Sequence, residues 1–64
     1  MSSADFNAIS SRVDQLRREV TAMEQRYLAE TNIMKRIDLA DEQLGPLRAA
    51  LGNELIKLQA ASQG

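Results

Sequence analysis

The sequence predicts an all-α protein, a helical hairpin that forms an antiparallel dimeric coiled coil or four-helix bundle. Three observations point there. Phe6, Ile9, Val13, Leu16, Val20, Met23 and Tyr27 recur at spacings of 3 and 4 residues, which places all seven on one narrow stripe of an α-helix, the seam by which helices pair. Gly45-Pro46 is the one strong helix breaker in the chain. Finally, 64 residues with no cysteine and no histidine leave neither a disulfide nor an imidazole or thiolate metal site to stand in for a large core. Oligomerisation remains as the way to bury enough surface.

Helix 1 is expected to start near residue 4. Ser2 and Ser3 offer N-cap oxygens, and Asp5 falls in the first turn, where a negative charge complements the helix dipole. From there to Leu44 no Gly or Pro intervenes and strong helix formers dominate, so the helix is predicted over about residues 4–44. Glycine suits the end of a helix and proline the first position of the next. The Gly-Pro pair therefore marks the expected joint, either a fold-back turn or a kink in one bent rod. Helix 2 is predicted over about residues 46–61, with Leu47, Leu51, Leu55 and Leu58 on one side, and Ser62-Gln63-Gly64 should fray. The whole chain, residues 1–64, reads as a single helical interaction domain.

Beyond Tyr27 the seven-residue repeat would put Glu30 and Asp41 on the seam. Ile33, Ile37, Ala40 and Leu44 instead form a row displaced by roughly 90° around the helix. A helix 2 folded back over residues 30–44 would cover that row, which favours the hairpin over the kinked rod. Ile33, Ile37, Ala40, Leu44, Leu47, Leu51, Leu55 and Leu58 are thus the expected inter-helix packing residues. Glu30 either fixes register or marks where one seam gives way to the other.

Charges beside the seam favour one orientation. A parallel dimer would oppose Arg12 to Arg17 and Glu19 to Glu24, both repulsive. An antiparallel pair of helices 1 crossing near residues 21 and 22 sets Arg17 against Glu24 and Glu19 against Arg26 of the other copy. The same register brings Val20 to Met23, Leu16 to Tyr27, Ile9 to Met34 and Phe6 to Ile37, with Val13 against the stem of Glu30. Exposed ion pairs contribute about 0–1 kcal/mol each, so they choose orientation rather than strength. The predicted interface is this apolar seam with Arg17, Glu19, Glu24 and Arg26 at its edges.

Little else suggests chemistry. Asp38, Asp41 and Glu42 gather three carboxylates near the joint, but a solvated acidic face explains them without a metal. Tyr27 lacks a base or cofactor neighbour and reads as packing. Leu28 and Leu39 read as an exposed apolar pair, serving either helix 2 in another docking or a partner. Eight basic against nine acidic residues give a net charge of -1, and the basic doublets Arg17-Arg18 and Lys35-Arg36 have acidic residues close by. No cofactor, metal or catalytic residue is expected, no secretory or membrane-spanning stretch is evident, and a cytoplasmic location is the default.

The functional expectation is a non-enzymatic protein–protein interaction module, an assembly factor, small chaperone, adaptor or inhibitor. Its expected partners are a second copy of itself or a helical client protein. The alternative is a helical-hairpin dimer that binds RNA or DNA through Arg and Lys on its outer face. Nothing in the residues separates the possible clients.

Overall fold

Helix α1 runs Ser3–Ala29 and the chain reverses over Glu30, Thr31 and Asn32; a second arm then returns alongside, as α2 (Ile33–Leu39), one π turn (Ala40–Leu44) and α3 (Gly45–Gln63). This computed structural model describes residues 3–63. The N-cap expected from Ser2 or Ser3 lies outside the described residues and side chains. The two arms pack antiparallel into a hairpin 46 Å long and about one helix thick in one direction, 15 × 12 Å across. A 27-residue helix rises about 40 Å, so α1 accounts for nearly the whole length.

The hairpin and its antiparallel sense agree with expectation, but the joint is elsewhere. Helix 1 does not continue to Leu44. It ends at Ala29, where Glu30 N–H is shared between the carbonyls of Arg26 at 3.1 Å and Tyr27 at 3.3 Å. Glu30 Oε1 then accepts the Asn32 N–H at 3.0 Å. Asn32 adopts an extended conformation, φ -83 and ψ 118, and its side-chain oxygen accepts the Lys35 N–H at 3.2 Å. That is an N-cap, with the Asn32 carbonyl accepting the first helical bond from Arg36 N–H at 3.0 Å. Glu30, odd on a seam, marks the seam's end because the chain turns there.

Gly45-Pro46 does not break the chain at all. Both dihedrals of Gly45 are right-handed helical, φ -56 and ψ -53. Proline inside a helix lacks a donor and pushes its ring against the carbonyl four residues back, here that of Glu42. The π turn just before it relieves that contact by widening the helix, and Gly45 N–H reaches back five residues to the Ala40 carbonyl. A Cβ on Gly45 would meet that same oxygen at 3.1 Å, so glycine suits the widened turn. The shorter C-terminal helix of about residues 46–61 is therefore the end of an arm that began at Ile33. It continues to Gln63 rather than fraying at Ser62, whose hydroxyl donates to the Gln59 carbonyl at 2.9 Å.

Within the hairpin the seam faces the chain's own second arm. Val13, Leu16 and Val20 are buried on α1, and Leu44 is buried on the returning arm, nearer the turn, beside Tyr27 and Leu28. Ile9, Met23 and Tyr27 on α1 are half-buried, as are Ala40, Leu47, Leu51, Leu55 and Leu58 on the second arm. Ile33 and Ile37 are 72% and 49% exposed. They lie in the same arm as the helix that was expected to cover them, and so it cannot.

Gly52 sits in the interior of α3 with open space where a Cβ would project, and no glycine among the described residues has a positive φ. Nothing within the hairpin requires glycine at this position. Gly52→Ala is therefore expected to stabilise the dilute hairpin by about 0.5–1 kcal/mol, through helix propensity and a less disordered unfolded chain. Urea titration followed by circular dichroism measures it.

Candidate functional site

Two inter-arm ion pairs define the flanks of the hairpin. Arg12 Nε meets Glu54 Oε1 at 3.2 Å, and Arg48 Nη2 meets Glu24 Oε2 at 2.9 Å. Arg12 and Glu24 are twelve residues apart, about a third of a turn out of phase at 100° per residue, so the two bridges straddle the apolar interior from opposite sides. Lys57 Nζ joins the first at 3.3 Å from Glu54. The cations and Glu24 are solvent-exposed while the Glu54 side chain is largely covered; pairs with an exposed partner contribute about 1 kcal/mol each, enough to fix sense and register.

The two flanks differ in chemistry. Beside the turn, one carries a hollow of about 220 Å³ lined mainly by charge, including Arg26, Glu30, Lys35, Asp38 and Glu42. The other carries a groove of about 260 Å³ formed by Tyr27, Leu28, Ala40 and Leu44 and closed at its edges by Glu24 and Arg48. Leu28 is 67% exposed. Leu28 and Leu39 do not pair: they lie on different arms, Leu28 in the apolar groove and the half-buried Leu39 in the charged hollow.

The apolar flank extends along the second arm. Ile33, Ile37, Asp41, Gly45, Gly52 and Ile56 follow one another at intervals of four residues or seven, which keeps them on one stripe roughly 35 Å long. Arg48 falls between the glycines on the same stripe. Ile33, Ile37 and Ile56 are all exposed; Met34, also exposed, lies about 100° around the helix from Ile33. An isolated exposed aliphatic is ordinary, but aliphatics repeated along one face of a thin hairpin form a surface that favours cover.

The predicted interface residues are thus distributed. Phe6 stands at the open end of the hairpin at the margin of exposure, Val13, Leu16 and Val20 are consumed by the fold, and Met34 and Ile37 are exposed. Glu24 pairs with Arg48 of its own second arm, whereas Arg17, Glu19 and Arg26 are exposed. Two features were not anticipated. One is the Arg36 guanidinium 4.6 Å from the centre of the Tyr27 ring, a cation–π contact bracing the turn; the buried Arg36 Nε has no hydrogen-bond partner. The other is Ile56, whose fellows on the stripe become visible only when Gly45-Pro46 is read as passing through a helix.

The acidic trio separates as well. Asp38 and Glu42 line the charged hollow, while Asp41 shares the stripe of Ile37 and Gly45. Among the described residues no three potential metal ligands converge, and no helix is long and apolar enough to cross a membrane. No protein-family model, curated protein or solved structure matches this chain.

Proposed function

We propose that the chain is a non-enzymatic helical docking module that offers the apolar flank of its second arm to another helical protein surface. The observation that carries this reading is the exposure of Leu28, Ile33, Ile37 and Ile56 along one side of the hairpin. Helix faces of this kind dock through anchors repeated every three, four or seven residues. The chain supplies no cysteine or histidine, and among the described residues no nucleophile with an adjacent base can be drawn, which favours binding over catalysis.

The nucleic-acid alternative draws less support. Of the eight cations, Arg12, Arg48 and Lys57 are engaged with carboxylates and Arg36 lies on Tyr27, while Arg26 and Lys35 share a hollow with Glu30, Asp38 and Glu42, so no long basic stripe is left to line up along phosphates. Site-specific photo-crosslinking tests the docking proposal. A photoreactive residue at position 37 is expected to capture a discrete protein product in the source cell, and one at Gln25, on the exposed back of α1, to capture none. Equal capture at both positions, or none at 37, removes the proposal.

A further inference from the structure

We propose that the occupant of the apolar flank is a second copy of this chain, packed antiparallel, second arm against second arm, about a two-fold axis beside the Leu44–Gly45 bond. The inference rests on the docking reading above and supplies its partner.

The first support is area. The chain exposes 4717 Å², whereas a compact monomer of this mass exposes roughly 4,100 Å². Elongation produces the surplus of roughly 600 Å², which is of the same order as the ~800 Å² that each partner of a stable interface buries. Among the described residues the buried side chains are Val13, Leu16, Val20 and Leu44, a thin core for a chain that lacks staples.

The second support is complementarity of the stripe with itself. A two-fold interface must place each residue against the one equally far on the other side of the axis. With the axis beside Gly45, Ile37 of one copy faces Gly52 of the other, Ile33 faces Ile56, and Asp41 faces Arg48, each pairing occurring twice. The space left where Gly52 lacks a Cβ receives an isoleucine, which gives that glycine the reason the isolated hairpin does not. At the axis itself Gly45 lets the two backbones approach closely.

Charge supplies the third support. Asp41 is exposed and, among the described residues, forms no ion pair, while Arg48 uses one guanidinium nitrogen on Glu24 and is 58% exposed. An Arg fork has donors for a second carboxylate. A parallel arrangement of the same stripes would instead set Asp41 against Asp41 and Arg48 against Arg48. Antiparallel pairing removes both repulsions. Helix 1 against helix 1, the arrangement suggested by the seam alone, would require the hairpin to open, because Val13, Leu16 and Val20 already face the second arm.

The experiment combines sedimentation equilibrium with cysteine cross-linking, which is clean in a chain without native cysteine. The chain is expected to pass from monomer to dimer between low micromolar and millimolar concentration. Gly52→Gln should raise the dimer dissociation constant by about tenfold or more, by filling the Ile37 site, while helical content in the dilute monomer is unchanged or higher. Ile37→Cys chains mixed with Gly52→Cys chains should cross-link on mild oxidation, and Ile37→Cys chains alone should not. A monomer at every concentration overturns the inference, as does a dimer indifferent to Gly52→Gln or one cross-linked through Thr21→Cys or Ala22→Cys on α1 instead. If the chain stays monomeric while the probe at position 37 still captures another protein, the second copy is excluded and the docking reading stands.

Discussion

Leu44→Ala is expected to leave the dilute hairpin largely unfolded at 25 °C. Leu44 is 4% exposed and is a buried side chain of the second arm, set beside Tyr27 and Leu28 at the turn end of the core. Truncating a buried leucine costs about 2–5 kcal/mol, the lost transfer energy plus the cavity left behind. A domain of this size has only about 3–9 kcal/mol in hand at 0.05–0.15 kcal/mol per residue, and a two-helix hairpin lies toward the lower end. A second copy on the flank would restore little, since Leu44 points into the hairpin and not out of it. The matched control is Ile56→Ala, where 67% exposure confines the change in the dilute monomer to about 0.5 kcal/mol. Ellipticity at 222 nm against urea compares the two. Equal shifts of the midpoint would mean that the core does not run through Leu44.

Replacing Glu30, Thr31 and Asn32 together by alanine is expected to abolish the hairpin without abolishing helix. The reversal depends on local hydrogen bonds: the Glu30 carboxylate on the Asn32 N–H and the Asn32 side chain on the Lys35 N–H. No residue there has the positive φ that would oppose a helix, and no glycine or proline lies between Ala29 and Ile33. Alanine removes the cap, about 1 kcal/mol, and supplies the best helix former at three consecutive positions. The chain then straightens into one rod, whose seam can be covered only by the returning arm of another molecule. Arg12 still meets Glu54 and Glu24 still meets Arg48, now between chains. Small-angle scattering should show the longest dimension rising from about 46 Å to roughly 90 Å for some sixty helical residues, with a dimer mass by sedimentation. An unchanged maximum dimension would show that packing, not the turn, holds the arms together.

The helical class, the apolar seam on α1 and the hairpin were readable from spacing, because a stripe of aliphatics reports directly on what a helix must bury; the antiparallel sense read from the flanking charges concerned two copies of helix 1, whereas the antiparallel pair in the structure is the two arms of one chain. The position of the joint was not. Gly45-Pro46 is the stronger local signal, and its effect is absorbed by a widened turn that only the folded arm reveals. The true signal lay in Tyr27, where the seven-residue repeat fails, and in Asn32, a good N-cap directly ahead of a new aliphatic row. The displacement of Ile33, Ile37, Ala40 and Leu44 was visible, but a phase break and a chain reversal look alike in sequence. Once the reversal is placed at residues 30–32, those residues belong to the returning arm. Ile33 and Ile37 then move from the expected core to the outside, and Ile56 joins them. Leu44 through Leu58 kept an inward role for the same reason that spacing first suggested, since either joint leaves them on the covered side of their helix.

The π turn at Ala40–Leu44 holds one residue more than an α-helical turn, since Gly45 N–H reaches the carbonyl five residues back rather than four. The extra residue is absorbed within the turn, so the helix on either side keeps nearly the facing it would have without it. Sequence length and facing are thereby uncoupled at this one place: removing a single residue from the segment would restore the ordinary hydrogen-bond ladder and leave Leu47 to Leu58 directed toward α1. The same deletion within α3 has no wide turn to absorb it. There it would rotate every later residue by about 100°, and the leucines and the isoleucine–glycine stripe beyond it would be aimed at the wrong neighbours.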